Sequence, residues 1–199
     1  MKTQKIISIK SVTTVMLVAV LLTITSCGGK QGSSARENRQ SSESKTSVKP
    51  PSIDIHTATL LGDLDAIHQH IKAGSDLNEK DTYGSSPLIT AVVFGKTEVA
   101  KALIEAGVDL NSTNNDGSTS LHSAAFLCRT EIVGMLLDNG ADKSIKNNFG
   151  HTALQSVSAP FDTVKGIYDI FSKNLGPLGL KLDYEQLEMT RPKIAEMLR

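Results

Sequence analysis

Apolar residues in the middle of the chain fall into short clusters at helical spacing, separated by glycines and polar turns. Spacings of three and four residues place such clusters on one face of a helix. One cluster consists of Val99, Ala102, Leu103 and Ile104. Two more follow in the next repeat: a short one of Leu121, Ala124 and Ala125, and a longer one of Ile132, Val133, Leu136 and Leu137. The pattern predicts pairs of short helices, and the small alanines let neighbouring helices approach closely.

The helix pairs recur with a fixed period along the chain. Gly-Ser-Ser-Pro-Leu at 84–88 returns as Gly-Ser-Thr-Ser-Leu at 117–121 and as Gly-His-Thr-Ala-Leu at 150–154, a step of 33 each time. Gly74, Gly107 and Gly140 follow three apolar clusters with the same step. Two independent markers with one period indicate a repeat array.

The period and its markers resemble the ankyrin repeat. The family's Thr-Pro-Leu-His motif corresponds to segments 86–88, 119–122 and 152–154. Its second-helix signature corresponds to 98–99 and 131–132, and its closing turn to 107–109 and 140–142. The resemblance covers roughly residues 53–183. It implies an all-α solenoid of helix-turn-helix repeats joined by β-turn or hairpin loops, and a monomer that binds another protein without a cofactor or catalysis.

The fourth repeat departs from the period after Pro160. Residues 179–183 resemble residues 107–111. Position 179 lies 72 residues after position 107, which is six more than two periods, so an insertion is expected around 172–178. Thr190 is expected to cap a helix that begins near Pro192. The predicted domain 52–183 holds four repeats, at about 53–80, 81–113, 114–146 and 147–183, followed by a C-terminal helical cap at 184–199.

The N-terminus has the order of an export signal. Three lysines precede an apolar run at about 12–24, and Ile-Thr-Ser-Cys follows at 24–27. These four residues resemble a bacterial lipobox, which implies a signal peptide at 1–26 and lipidation of Cys27. An ordinary signal peptide or an uncleaved helix are the alternatives. Gly28 is not the aspartate that retains many lipoproteins at the inner membrane, so outer-membrane attachment facing the periplasm is expected.

Charge is distributed unevenly along the chain. Residues 28–51 are polar with five basic and two acidic side chains, and form the predicted disordered linker at 27–51. From residue 52 onward the chain has 19 acidic and 13 basic residues, which gives a net charge of about −6. A domain without a basic surface is a poor ligand for the phosphate backbone, so nucleic acid is an unfavourable partner.

Candidate catalytic chemistry is sparse. His56, His68 and His70 could bind a metal only if their side chains converge, although residues two apart on a helix point in different directions. By the resemblance, His122 is a structural histidine that hydrogen-bonds a neighbouring turn. Cys128 has no adjacent basic cluster and is expected to be a packed, unreactive thiol. A binding protein is therefore favoured over an enzyme, and a metal-dependent protein remains a weaker alternative.

The predicted partner surface also follows from the resemblance. Ankyrin proteins bind on their concave side, through the first helices and the loop tips. Six apolar residues occupy the matching first-helix positions and are called the apolar stripe: Leu60, Leu61, Val93, Phe94, Phe126 and Leu127. Tyr83, Asp116 and Phe149 occupy the tips. An exposed stripe would mark an interaction site, whereas the alternative is that some of these side chains pack inward.

Overall fold

The computed structural model describes residues 48–199, in which helices account for the regular secondary structure. The helices are α1 Ile55–Leu61, α2 Leu64–Ala73, α3 Pro87–Val93, α4 Thr97–Glu105, α5 Ser120–Phe126, α6 Thr130–Asp138, α7 Ala153–Ser158, α8 Phe161–Leu175 and α9 Tyr184–Leu198, with a short 3₁₀ helix at Gly176–Leu178. Cys27, the predicted signal peptide at 1–26 and most of the predicted linker at 27–51 lie outside the described residues.

Polar side chains start the first helix of each pair. Asp54, Ser86, Thr119 and Thr152 each accept a hydrogen bond from a backbone N–H in the first turn of α1, α3, α5 and α7. Such caps satisfy donors that the helix itself leaves unpaired. Pro87 begins α3 at a position where its missing N–H costs nothing. The caps of α3, α5 and α7 are 33 residues apart, and Asp54 caps α1 one residue later in the repeat.

The helix pairs stack side by side around one continuous core. α1, α3, α5 and α7 pack in sequence, α2, α4 and α6 form the second layer, and α9 packs against both α6 and α7. Equivalent core positions are buried in every layer, in three rows: Ala66, Val99, Ile132 and Ile194; Ile67, Ala100, Val133 and Ala195; His70, Leu103, Leu136 and Leu198. The predicted all-α repeat solenoid is confirmed.

The fourth repeat consists of α7 and α9, and α8 is inserted between them. The positions of Ile132 and Ile194 differ by 62, which is one period of 33 plus an insertion of 29. The insertion is larger than the one expected around 172–178. The division at residue 183 is wrong, because the end of α9 is the second helix of repeat four. Thr190 and Pro192 lie inside α9, which starts at Tyr184 after the Asp183 cap.

Pro160 explains where the chain leaves the repeat. In the first three repeats Gly62, Gly95 and Cys128 adopt positive φ and turn the chain directly into the second helix. The residue before a proline is pushed to extended conformations, and Ala159 has φ −64° and ψ 147°. The chain therefore leaves α7 in an extended direction and forms α8 before returning as α9.

The loops between repeats are joined by backbone hydrogen bonds. The N–H of Asn115 donates to the carbonyl of Tyr83 at 3.1 Å, and that of Asn148 donates to the carbonyl of Asp116 at 2.9 Å. The approach is so close that a Cβ on Gly117 would lie 2.9 Å from the Asn148 nitrogen. Gly150 occupies the same loop position in the last repeat, where a Cβ would meet no atom of the described residues within 4 Å.

We expect Gly117→Ala to destabilise the solenoid more than Gly150→Ala. Both glycines have positive φ, 70° and 78°, so both variants incur the left-handed backbone cost of about 1–2 kcal/mol. Only the methyl group of Gly117→Ala would also press on the backbone of the next loop, adding about 1–3 kcal/mol as overpacking does. Urea unfolding measures the difference, and equal losses would contradict the close contact between loops.

Candidate protein-binding surface

The structure divides the apolar stripe into an open end and a covered end. The open end consists of Leu60, Leu61 and Phe94, of which Leu61 is 66% exposed. The covered end consists of Val93, Phe126 and Leu127, and Leu127 is only 2% exposed. For Leu127 the expectation of an exposed contact residue is wrong, because α8 lies over this end of the stripe.

Aromatic side chains hold α8 on the covered end. Tyr168 stacks on Phe126 with ring centroids 4.5 Å apart, and Phe171 meets Phe126 edge to face at 5.8 Å. Phe161 lies 5.7 Å from Tyr168 and completes this inward face of α8. Such ring geometries add stabilisation beyond the apolar area they bury. The aromatic cluster comprises these residues with Leu127, Val164, Leu187, Leu182 and Tyr184.

A buried hydrogen-bond chain fixes α8 to both neighbouring helices. The Tyr168 hydroxyl donates to the Phe126 carbonyl at 2.6 Å and accepts from Nη1 of Arg191 at 2.7 Å. Nη2 of Arg191 donates to the Ala159 carbonyl at 2.8 Å. Tyr168 is fully buried and Arg191 is 4% exposed. Burial raises the pKa of Tyr168 to about 12, so the phenol stays neutral beside the guanidinium.

The remaining aromatic residues lie on the predicted partner surface. Of the eight aromatic residues in the sequence, five belong to the aromatic cluster, and the others are Tyr83, Phe94 and Phe149. Tyr83 and Phe149 are 75% and 71% exposed at the loop tips, and Phe94 is half-buried. Asp116 is exposed at the tip between them. Among residues 48–199, Leu60, Leu61 and Phe94 belong to neither buried cluster.

The candidate metal ligands do not converge. Both ring nitrogens of His70 are used by the fold, because Nε2 donates to the Ile53 carbonyl and Nδ1 accepts from the Ser75 hydroxyl, each at 3.0 Å. His68 is exposed on the surface of α2, and both ring nitrogens of His56 are buried without a hydrogen-bond partner among residues 48–199. Within the described part of the chain, no group of three His, Cys, Asp or Glu side chains is placed to hold a metal ion.

His122 and Cys128 have structural surroundings. Nδ1 of His122 accepts from the Thr119 N–H, so Nε2 carries the proton and donates to the His151 carbonyl at 3.0 Å. Burial lowers the pKa of His122. Burial also raises the pKa of Cys128 to about 11, which keeps the thiol protonated at neutral pH. His122 therefore hydrogen-bonds the neighbouring loop, as the resemblance implies, and Cys128 is a partly buried thiol.

The sequence reasoning missed α8 and its part in the surface. A usable signal was present, since Phe161, Val164, Tyr168 and Phe171 recur at helical spacing and three of them are aromatic. Arg191 was also missed. Arg191 lies 62 residues after Arg129, the same offset that separates Ile132 from Ile194 in the core. Arg129 makes a similar hydrogen bond, because it donates to the carbonyl of Val93 at the end of α3, at 3.0 Å.

Comparison with known protein families agrees with this geometry. Residues 55–147 match the family model described as ankyrin repeats in three copies, and the interrupted fourth repeat lies beyond the match. None of the curated proteins compared with the chain matches it. Of the helices in residues 48–199, none is long and apolar enough to cross a membrane. The fold is an ankyrin-repeat solenoid, and ankyrin repeats form a protein–protein interaction module.

We expect Tyr168→Phe to destabilise the protein by about 1–3 kcal/mol, because it leaves the buried Phe126 carbonyl without its donor and removes one hydrogen bond of the buried Arg191 guanidinium. Tyr184→Phe is the matched control, since its hydroxyl bonds the exposed Asp169 carboxylate at 2.9 Å and its loss should cost well under ~1 kcal/mol. Chemical denaturation compares the two variants. Equal midpoints would show that the hydrogen-bond chain does not anchor α8.

Proposed function

We propose that this protein is a non-catalytic protein-binding module anchored in the bacterial envelope by lipid on Cys27. It binds another protein through the open end of the apolar stripe and the loop tips. The observation that carries the proposal is the exposure of Leu61, Tyr83 and Phe149, at 66%, 75% and 71%, on an interaction fold. The partner is an envelope enzyme or toxin that the module restrains or assists.

Exposed aromatic residues support a protein partner. Tyr83 and Phe149 offer large rigid rings, and such residues dominate the binding energy of protein interfaces. Asp116 and the polar loop residues around them supply the polar rim that interfaces usually have. Leu60, Leu61 and Phe94 add partly exposed apolar area. The combination fits a folded protein better than a small ligand, which needs an enclosed pocket.

The non-catalytic part of the proposal is supported by what the reactive side chains do. His70 and His122 use both ring nitrogens to hold loops, and Cys128 stays a protonated thiol. A catalytic base or nucleophile needs a free, oriented partner atom and a matched pKa. His70, His122 and Cys128 serve the fold in this way, which supports a role of the described domain in binding rather than in catalysis.

The envelope part of the proposal rests on the N-terminal sequence. Lysines, an apolar run and the 24–27 lipobox-like segment come in the order of a lipoprotein signal. A linker at 27–51 of flexible composition would hold the domain about 25–30 Å from the lipid. Gly28 at the position after the cysteine favours the outer membrane, with the domain in the periplasm.

A scaffold of an envelope complex would use the same surface. It would leave the activity of its partner unchanged, whereas a restraining or assisting factor would change it. An activity assay on the partner, with and without this protein, separates the two roles.

We expect a full-length chain carrying Leu61→Asp and Phe94→Asp to lose capture of its partner from a solubilised envelope extract. Buried aspartates in an interface bring a desolvation cost of several kcal/mol. Ile170→Asp with Leu178→Asp is the matched control, because these side chains are 57% and 56% exposed on the inserted segment. Circular dichroism verifies that both variants fold. Capture that survives in the first variant, or fails equally in both, would contradict the assigned surface.

We expect Cys27→Ser to abolish fatty-acid labelling and to release the protein from the membrane fraction of its source cell. Acyl chains contribute ~0.8 kcal/mol per buried methylene, so their loss removes the anchor. Cys128→Ser is the control, since the Cys128 thiol is packed inside the domain. Labelling that persists in Cys27→Ser, or disappears in Cys128→Ser, would refute the lipid anchor.

A further inference from the structure

We propose that a groove at the last repeat binds a carboxylate attached to an apolar group, and that Arg191 is the residue that recognises the carboxylate. The groove has a volume of about 530 Å³ and lies between the end of α7, the start of α8 and α9. It shares no residue with the apolar stripe or with the loop tips. A ligand site here is independent of the proposed partner surface and goes beyond the proposed function.

The groove lies where the repeat array ends. In the internal repeats each first helix packs between two others, as α3 does between α1 and α5. α7 packs on α5 and on α9, and within residues 48–199 no further first helix follows it. The last repeat therefore keeps an open side, at which Val157 and Ala195 line the groove although they are only 2% and 7% exposed.

Arg191 brings a buried positive charge to this groove. The side chain lines the groove and is 4% exposed. Its hydrogen bonds to the Tyr168 hydroxyl and the Ala159 carbonyl use two of the five N–H groups of the guanidinium. Both acceptors are neutral. Arg191 thus has N–H groups left to donate to a ligand in the groove.

No acidic side chain compensates the charge of Arg191 within the described part of the chain. The ion pair found among residues 48–199 joins Arg199 to Glu196, not Arg191 to a carboxylate. A buried charge without a counter-charge is costly, and hydrogen bonds between a guanidinium and a carboxylate are among the strongest in proteins. A carboxylate is the ligand group that supplies both the missing charge and the missing acceptors.

The walls of the groove require an apolar group beside the carboxylate. Phe161 and Pro192 face each other across it from α8 and α9, together with Val157 and Ala195. Phe161 is half-buried and Pro192 is exposed, so both offer apolar surface to a ligand. An apolar ligand group would cover this surface and exclude water from the contact between Arg191 and the carboxylate, which strengthens that contact.

The rim of the groove limits the ligand to a single negative charge. Glu188 and Glu196 are exposed and line the groove. Glu196 is paired with Arg199, so Glu188 leaves one uncompensated negative charge at the rim. This charge disfavours a dianion such as a phosphate monoester more than a monocarboxylate. A free carboxylic acid and the C-terminal residue of a polypeptide share the required chemistry.

We expect the full-length protein, solubilised in detergent, to bind isocaproate and acetyl-glycyl-leucine, which both carry an isobutyl group and one carboxylate. Each acid should bind at least about 10-fold more tightly than its amide, because hydrogen bonds to charged groups are the stronger ones. Two-dimensional NMR of isotope-labelled protein, followed at the Arg191 Nε–H signal, gives the affinities. Tighter binding of the peptide identifies a polypeptide C-terminus as the source of the ligand, and tighter binding of isocaproate identifies a free acid.

Two variants of α9 form a matched pair. Pro192→Glu places a carboxylate inside the groove and should weaken binding of both acids at least about 5-fold, because like charges repel strongly beside apolar walls. Met189→Glu adds the same charge on a side chain that is 62% exposed and does not line the groove, so binding should stay unchanged. Circular dichroism verifies the fold of both variants.

Glu188→Gln provides a change in the opposite direction. It removes the uncompensated rim charge and should strengthen binding of both acids about two- to threefold, since exposed charges are partly screened by salt. Because Glu188 is exposed, this variant is expected to fold like the parent chain.

Three results would overturn the carboxylate site: no binding of either acid, equal affinities for acids and amides, or equal effects of Pro192→Glu and Met189→Glu. None of them affects partner capture through Leu61 and Phe94, which are not part of the groove. Loss of partner capture in the Leu61→Asp and Phe94→Asp variant likewise leaves the carboxylate site untouched.

Discussion

The structure depends on burial between repeats, because one helix pair cannot bury its apolar face alone. Val99 and Leu103 in repeat two are buried between the equivalent residues of the first and third repeats. Nearest-neighbour burial is the general source of stability in repeat proteins. The last first helix, α7, therefore also needs a second helix, and the end of α9 provides it after the insertion by packing on α6 and α7.

The interruption of the fourth repeat determines which part of the apolar stripe is covered. Pro160 prevents the direct turn into the second helix, so the chain forms α8 before α9 returns to the stack. α8 then covers Phe126 and Leu127, which are equivalent by repeat to side chains that stay accessible at Leu60 and Leu61. One chain thus presents an open and an occupied version of the same surface.

The sequence predicts the regular part of this fold because its signals are local and periodic. The turn and closing-glycine markers place the first three helix pairs, and the caps at Ser86 and Thr119 are readable from residue type. The end of the array could not be placed in this way. The insertion breaks the period, and the 179–183 run imitates a closing turn although Asp183 is the cap of α9. The repeat pattern by itself does not show that Leu127 is covered, since the helix that covers it lies outside the period.

The central claim is that one continuous core runs through α1 to α7 and the end of α9, and that α8 packs on the stripe through a separate cluster. Native-state amide hydrogen exchange of the full chain measures the opening free energy of each helix directly. We expect amides of α8 to exchange through a local opening of lower free energy than those of α5, α6 and the end of α9, which should exchange together. Equal opening free energies for α8 and α5 would contradict the claim and make α8 an integral part of the core.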